Sequence, residues 1–403
     1  MPTPDHKLSG LPQEDHAPLG KRRQQMMANH PHTKGYPVRG TLLLCLVLAL
    51  SLMSIMVLSS GCQKEKPPVK YSYSFTGSFD TVIQILGYAA DEQTFNDLAK
   101  KAENRFISLH QLFDIYHTYP EINNLKTIND QAGSAPVKVD RQIIDLLALY
   151  QAQDHLSPGT VNVALGPVLA VWHDYRTEAL DGGTVALPTE AELRQAELLS
   201  DPEKVIIDPE ASTVYLAEQG MRLDVGAVAK GFATEIVARE LMAAGLTSGI
   251  ISAGGSNVRL IGQPADGRET WQVGLQNPDA NPLIPDEQPL DVVLANNQSI
   301  VTSGDYQRYY EVDGVTYHHL IDPVTLQPAQ YFRFVTIMTP DSGLADYLST
   351  AVFLLPYEKG RQLVDQLPDC EAYWMFKDGH VEMTDGMKTH LQSLQEPANS
   401  ADS

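Results

Sequence analysis

Asp346, Ser349 and Thr350 lie in the run Ser342-Gly343-Leu344-Ala345-Asp346-Tyr347-Leu348-Ser349-Thr350-Ala351-Val352. Read as a helix, the i, i+3, i+4 spacing puts one carboxylate and two hydroxyls on a single face. The rest of the run is small or apolar, so the cluster lies near a packed surface. An oxygen-only set suits a hard cation such as Mg2+, and a Mg2+ site with open positions usually meets a phosphate. Helix capping and an ordinary polar stripe explain the same residues without any ligand.

Other segments are turns that can face an anion. Leu223-Asp224-Val225-Gly226-Ala227-Val228-Ala229-Lys230-Gly231-Phe232 leads from a short strand into a helix. Gly226 and Ala227 let a ligand approach the backbone, and the free N–H groups of the helix start attract anions. Asp224 and Lys230 supply one charge of each sign; a Gly-rich turn with an Asp cap and a solvated Lys reads equally well. Ser252-Ala253-Gly254-Gly255-Ser256-Asn257 can cradle a phosphate through backbone N–H groups or be a plain hairpin turn. In Ser157–Pro167, Thr160 and Asn162 can bond a heterocycle edge or a ribose. Tyr317-His318-His319-Leu320-Ile321-Asp322-Pro323 sets two histidines at a strand end, where alternation turns one inward. A buried His is more often a structural hydrogen-bonder than a catalyst. No G-x-S-x-G, G-x-G-x-x-G or P-loop is present, and no Cys/His set has zinc spacing.

The elements that must position these residues follow from periodicity. Tyr71–Gly87 alternates and reads as one or two strands. Helices are expected over Asp91–His110, Val139–His155, Ala186–Leu199 and Ala227–Ala244, the last closed by Gly245. Phe113–Asn129, rich in Tyr and Asn, reads as a surface loop. Val205–Leu216 reads as a hairpin turning at Asp208-Pro209-Glu210, and Gly249–Gly262 as strand, Gly-Gly turn, strand. Trp271–Leu275 and Val335–Met338 read as strands, and Ser299–Phe334 is β-rich. Strands and helices mix without the alternation of a doubly wound sheet, so the class is α+β.

The chain has 403 residues and a net charge of −21. Its first 62 residues carry six Lys/Arg against three Asp/Glu, so the remainder is more acidic still. Such a surface repels nucleic acid and anionic headgroups; no nucleic-acid partner is expected. Residues 1–40 are polar and expected to be disordered. Thr41 to Ser60 is an uncharged, Leu-rich run ending in Gly61-Cys62. This resembles a bacterial lipoprotein signal, with Cys62 the lipidated first residue, although Ser59 stands where such signals usually carry Leu. The run is also nearly long enough for an uncleaved anchor. Both readings put the domain on the extracytoplasmic face of a bacterial cytoplasmic membrane. Met26 or Met27 is an alternative start. Residues 63–70 read as a tether, 71–395 as the folded domain and 396–403 as a disordered tail. The cysteines are Cys45, Cys62 and Cys370, so no disulfide is expected within the domain.

Taken together and in order, these segments resemble the ApbE family, the FAD:protein FMN transferases. The matching pieces are Ser157–Pro167, Leu223–Gly231, Ser252–Asn257, Trp271–Pro278, Val301-Thr302-Ser303-Gly304-Asp305-Tyr306, His319–Pro323 and Ala345–Ala351, spanning about residues 71–380. The resemblance implies mixed or antiparallel sheets with packed helices. It implies Mg2+-dependent cleavage of the FAD pyrophosphate, transfer of FMN to a Thr or Ser hydroxyl of an acceptor protein, and release of AMP. The implied acceptor is an exported or membrane redox protein carrying an FMN-acceptor motif. By the same resemblance, Asp346, Ser349, Thr350 and the Ala227 carbonyl are the metal positions. Phe79, Tyr116 (with Tyr119 as fallback), Thr160, Val161, Asn162, Asp224, Lys230 and Val335 are the flavin-nucleotide contacts, and His319, which takes or relays the acceptor proton, and Asp346 are the catalytic residues. Val161 and Asn162 stand where the family has Phe and Asp, Phe79 where it often has Met, Ser256 where it has Asp and Leu326 where it has Gly. A Mg2+-dependent FAD pyrophosphatase and a non-catalytic flavin-binding lipoprotein are the alternatives.

Overall fold

The computed structural model describes residues 67–279 and 289–395. The polar leader, the apolar run with Cys62, the first half of the tether and the tail after Gln395 lie outside the described residues.

β1 (Val69–Ser78) folds back on β2 (Thr81–Ala89), and the inward residues Tyr71, Tyr73 and Phe75 pack toward α1 (Glu92–Phe113). α1 opens where Asp91 accepts from the Thr94 N–H, and it buries Phe95, Ala99, Ala102, Phe106, Leu109 and Phe113 along one stripe. The stretch expected to be an irregular loop contains a short helix, α2 (Leu125–Asp130), started by a capping box of Asn124 and Thr127. β3 (Val137–Lys138), α3 (Arg141–Asp154), α4 (Gly166–Leu180) and α5 (Glu190–Glu197) follow.

β4 (Val205–Asp208) and β5 (Thr213–Leu216) form the expected hairpin, which leads through the Asp224 turn into α6 (Ala229–Ala243). Gly245 adopts φ 103° just beyond the end of α6, the left-handed conformation that glycine supplies cheaply. Next come β6 (Gly249–Ala253), β7 (Asn257–Ile261), β8 (Trp271–Leu275), β9 (Asp291–Ala295) and β10 (Ser299–Gly304). The hairpin β11 (Tyr309–Val312) and β12 (Val315–His318) precedes β13 (Phe332–Thr339) and α7 (Ser342–Leu354). α8 (Tyr357–Asp365), β14 (Glu371–Phe376), β15 (Val381–Met383), α9 (Asp385–Lys388) and α10 (Gln392–Gln395) complete the described chain.

The central sheet runs β1-β2-β6-β7-β10-β13-β14-β15, and every adjacent pair in it is antiparallel. The α+β class is therefore the observed one. Alternation divides the sheet's residues between two cores. Ile85, Val301, Val335 and Ile337 join the helices α1, α6 and α7 on one face. Ile300, Phe334, Met338 and Tyr373 meet the β8–β9 ribbon, Met387 and Leu391 on the other. A smaller apolar cluster, with Trp172, Leu193, Tyr310 and Leu326, joins α4 and α5 to the β11–β12 hairpin. Leu326 has φ 61°; this is strained for a side chain with a Cβ, and its full burial in that cluster offsets the strain. Cys370 is free and buried. Among the described residues no helix is long and apolar enough to cross a membrane.

Candidate active site

α6 and α7 cross where α6 carries Gly231. A Cβ there would lie 2.5 Å from Asp346 Cβ and closer still to the Ser342 carbonyl, so only glycine permits this approach. The closeness lets the Gly231 N–H donate to Asp346 Oδ2 at 2.7 Å. Helical geometry would direct that N–H to the Ala227 carbonyl; instead, among the described residues, the Ala227 carbonyl accepts no hydrogen bond. Asp346 is buried and makes no ion pair among the described residues. Burial pushes its carboxyl up to about 6, against the opposing Lys230 charge and the Gly231 N–H.

Ser349 Oγ donates to the Asp346 carbonyl at 3.0 Å and lies 2.8 Å from Ser303 Oγ. Thr350 Oγ1 lies 3.4 Å from the same Ser303 oxygen. Ser349 is fully buried and engaged twice, so it braces the cluster while Asp346, Thr350 and the Ala227 carbonyl keep acceptor capacity to spare. This donor set fits a hard divalent cation: oxygens only, one uncompensated carboxylate and a carbonyl without a donor. Among the described residues no three His, Cys, Asp or Glu side chains gather to hold a metal unaided. Further oxygens must come from a ligand or from water.

Beside this cluster, Lys230 Nζ donates to Ser256 Oγ at 2.6 Å. The serine thus positions the ammonium from the Gly-Gly turn. Burial, and then the nearby Arg308 charge, lower the pKa of Lys230, while Asp346 acts the other way. Asp224 Oδ1 accepts from the Gly226 N–H at 2.8 Å, and its own N–H donates to the Val163 carbonyl at 2.9 Å. That bond joins the Asp224 turn to the Thr160–Asn162 segment. Burial raises the Asp224 carboxyl, opposed by the Gly226 N–H and by Arg222, Arg308 and His173.

Within that segment Asn162 is spoken for: its Nδ2 donates to the Ser200 carbonyl and its Oδ1 accepts from the Ala164 N–H, each at 2.8 Å. Val161 is buried, and Thr160 alone keeps a hydroxyl without a protein partner. Phe79 sits in the β1–β2 turn at φ 55°, with its ring edge-on to His110 at 5.6 Å. Tyr116 is 49% exposed and leans on His173 with ring centroids 5.5 Å apart. Burial first, then Asp224, raises its phenol pKa. Tyr119 is instead tied to Asp114 Oδ2 at 2.7 Å. Val335 corrects the contact expected of it: its side chain is fully buried under the sheet and has no surface to offer a ligand. It backs Ser303, its cross-strand partner on β10.

The two histidines separate as alternation requires. His318 is buried, with Nε2 2.7 Å from the Ala329 carbonyl and Nδ1 accepting the Leu320 N–H. Burial holds it down to about 4, and its role is structural. His319, on the opposite face, is half-buried, with its Nδ1 buried and without a partner among the described residues. Burial, then the charges of Arg308, His318 and Arg176, push His319 down to about 3, so it is neutral at physiological pH.

The ApbE family model matches residues 79–374. The chain belongs to the ApbE family. A FAD:protein FMN transferase of Treponema pallidum is 35% identical over 306 residues, covering 72% of this chain and 81% of that protein. One from Klebsiella pneumoniae is 31% identical over 291 residues, covering 70% and 86%. The crystal structure of the ApbE protein of Thermotoga maritima matches at TM-score 0.68 and 25% identity, over 80% of this chain and 99% of that one. The flavin transferase ApbE of Vibrio cholerae matches in fold at TM-score 0.66 and 22% identity, over 81% and 100%.

Three groups of this ApbE-family site escape sequence reasoning. Ser303 links β10 to both hydroxyls of α7, a role visible only once the strand lies under the helix. Tyr150 on α3 is buried against the Ala227 backbone, and the charges of Asp224 and Asp346 bear on its hydroxyl. Arg308 and Arg176 act on His319, Tyr116 and each other. No local signal points to Arg308: only the pairing of β11 with β12 brings it opposite His319.

Proposed function

We infer that this protein transfers FMN from FAD to a Thr or Ser hydroxyl of an acceptor protein, forming a phosphoester and releasing AMP, with Mg2+ at Asp346, Thr350 and the Ala227 carbonyl. The observation that carries this reading is the diverted Gly231 N–H. It binds the Asp346 carboxylate and leaves the Ala227 carbonyl without a donor, next to an ammonium held by Ser256. The names of the curated relatives agree with it.

A bound Mg2+ supplies charge neutralisation for the pyrophosphate and for the phosphoryl transition state. The chain's own groups do the rest. Lys230 meets a phosphate oxygen from the Gly-Gly side, and the Asp224 turn receives the nucleotide through its backbone and carboxylate. His319, neutral before substrate arrives, accepts the acceptor hydroxyl's proton at Nε2. A base whose pKa is about 3 is weak in the free protein. Phosphate charge set against Arg308 and Arg176 removes part of what depresses it and moves it toward the usual imidazole range.

The physiological acceptor in this reading is an exported or membrane redox protein with an FMN-acceptor Thr/Ser motif. The enzyme faces it from the extracytoplasmic side, anchored at Cys62 or by the apolar run before it. Incubating the full chain with FAD, Mg2+ and a candidate acceptor, followed by in-gel flavin fluorescence, tests the transfer. A covalently fluorescent acceptor is the expected result. AMP with free FMN only marks a pyrophosphatase, and intact bound FAD with no AMP marks a carrier; either outcome overturns transfer.

A further inference from the structure

Arg308 and His319 stand directly opposite each other, one pair beyond Tyr309 and His318, and the His319 N–H donates to the Arg308 carbonyl at 3.1 Å. Alternation puts both on the hairpin face that also carries Tyr310 and Tyr317. α4 covers that face: the Trp172 ring stacks on Tyr317 at 6.0 Å with an interplanar angle of 18°. Arg176 follows Trp172 by one helical turn, so it projects beside Arg308. Two guanidinium groups therefore meet next to His319. Neither makes an ion pair or a side-chain hydrogen bond among the described residues, although the protein carries a net charge of −21 and has carboxylates to spare. The Arg308 charge also reaches Lys230 and Asp224. Like charges held together without a counter-ion destabilise the unliganded protein, and retaining them there points to an anionic ligand.

We propose that Arg308 and Arg176 clamp the phosphoryl group being transferred, on the His319 side of the site and away from Asp346. The proposal rests on the transfer reading. In the step, the acceptor hydroxyl oxygen bonds to the FMN phosphorus. The bond from that phosphorus to the bridging oxygen breaks, AMP leaves with that oxygen and its electron pair, and the hydroxyl proton passes to His319 Nε2. The non-bridging oxygens carry the negative charge throughout, and planar guanidinium groups bind such oxygens two at a time.

The test has a binding arm and a rate arm on the full chain. Inorganic pyrophosphate is titrated calorimetrically in metal-free buffer into wild type, Arg308→Gln, Arg176→Gln and the double variant. Each substitution should weaken pyrophosphate at least about tenfold, with the thermal midpoint unchanged or raised because a repulsive pair is relieved. In single-turnover AMP release from FAD at saturating FAD and Mg2+, Arg308→Gln should be about 10²–10³-fold slower. Arg308→Lys should recover pyrophosphate binding better than rate, since an ammonium lacks the fork. Equal pyrophosphate affinity in wild type and the double variant overturns the clamp, as does a lowered thermal midpoint that accounts for the loss. The binding arm needs no acceptor. If wild type labels none, the transfer reading fails while the arginine dependence of pyrophosphate binding still decides the clamp.

Discussion

Replacing Gly231 by Ala is the sharpest test of how the site is held. The added methyl would fall 2.5 Å from Asp346 Cβ, 3.0 Å from Asn257 Nδ2 and closer still to the Ser342 carbonyl. Two of these are backbone or Cβ atoms that cannot swing aside, so α6 and α7 must separate. Overpacking of this kind costs about 1–3 kcal/mol. The gain in helix propensity returns about 1 kcal/mol, leaving a net loss near ~2 kcal/mol at the upper end. For a domain of about 325 residues, with an unfolding entropy of about 2.1 cal/mol/K per residue, that is a drop of roughly 3 °C in thermal midpoint. The separation also lengthens the Gly231 N–H to Asp346 bond and moves the carboxylate from the Ala227 carbonyl. A misplacement of about 1 Å can cost about 10²-fold in rate. Gly343→Ala is the companion variant. It lies on the same helix pair, but its methyl meets Leu149, Phe232 and Asp341 atoms at 3.3 Å, which small shifts absorb. Thermal unfolding and single-turnover AMP release are measured on both. Full activity in Gly231→Ala at saturating Mg2+ would refute the reasoning, since the Asp346 geometry would then be unnecessary.

Asp346→Asn should abolish Mg2+-dependent AMP release while leaving the thermal midpoint equal or higher, because a carboxylate raised to about 6 by burial is a strained ion above that pH; retained activity would remove Asp346 from the metal site. His318 is lowered from 6.5 to about 4 while buried, so its stabilising effect is complete above pH 6.5 and is lost as pH falls to about 4, by about 3 kcal/mol. Urea unfolding of wild type and His318→Gln across that range checks this; parallel pH dependences in the two proteins would contradict it. His319→Ala should slow transfer about 10²–10⁴-fold with FAD affinity nearly unchanged. Since His319 starts at about 3 and rises only with substrate bound, its limb should appear in the pH profile of kcat and be absent from kcat/KM between pH 5 and 8; the reverse pattern would sink the substrate-tuned base.

What the sequence made legible was local. The Asp346-Ser349-Thr350 face follows from helical periodicity, and α7 carries it as expected. The helix α1, read over Asp91–His110, was legible for the same reason. α2 was not, because its signal is a single Asn124–Thr127 box inside a polar stretch. Asn162 has a side chain of the right type for a ligand, yet its two partners, Ser200 and Ala164, satisfy it from within the protein. Ser256, a departure from the family pattern, proves to be the oxygen that holds Lys230. Arg308 and Arg176 lie 132 positions apart by their numbering. Only the β11–β12 register and the seat of α4 bring them together, and neither is encoded in a window of local pattern.

The pattern of pairing separates structure from chemistry. Glu235 binds Arg259 and Arg239 at 3.0 and 2.8 Å, and Asp305 binds Lys377 at 2.6 Å. These buried acids have cations, as charges kept for stability require. Among the described residues Asp346 has no ion-pair partner, only the charge of Lys230 near it, Arg308 and Arg176 have no carboxylate, and the Ala227 carbonyl has no donor. Joining the acid to an arginine would relieve both at once, but the fold keeps Asp346 on α7 and the arginines on α4 and the β11–β12 hairpin, with Lys230 between. A ligand that satisfies both ends must bring positive charge to Asp346 and negative charge to the arginines. A divalent cation bound to a pyrophosphate has that polarity, and a metal-free nucleotide satisfies only one end. Cation and nucleotide should therefore bind cooperatively: each should raise the affinity for the other by the same factor. Titrating FAD with and without Mg2+, and Mg2+ with and without FAD, measures both sides, and independent binding would mean that these unpaired charges do not share a ligand.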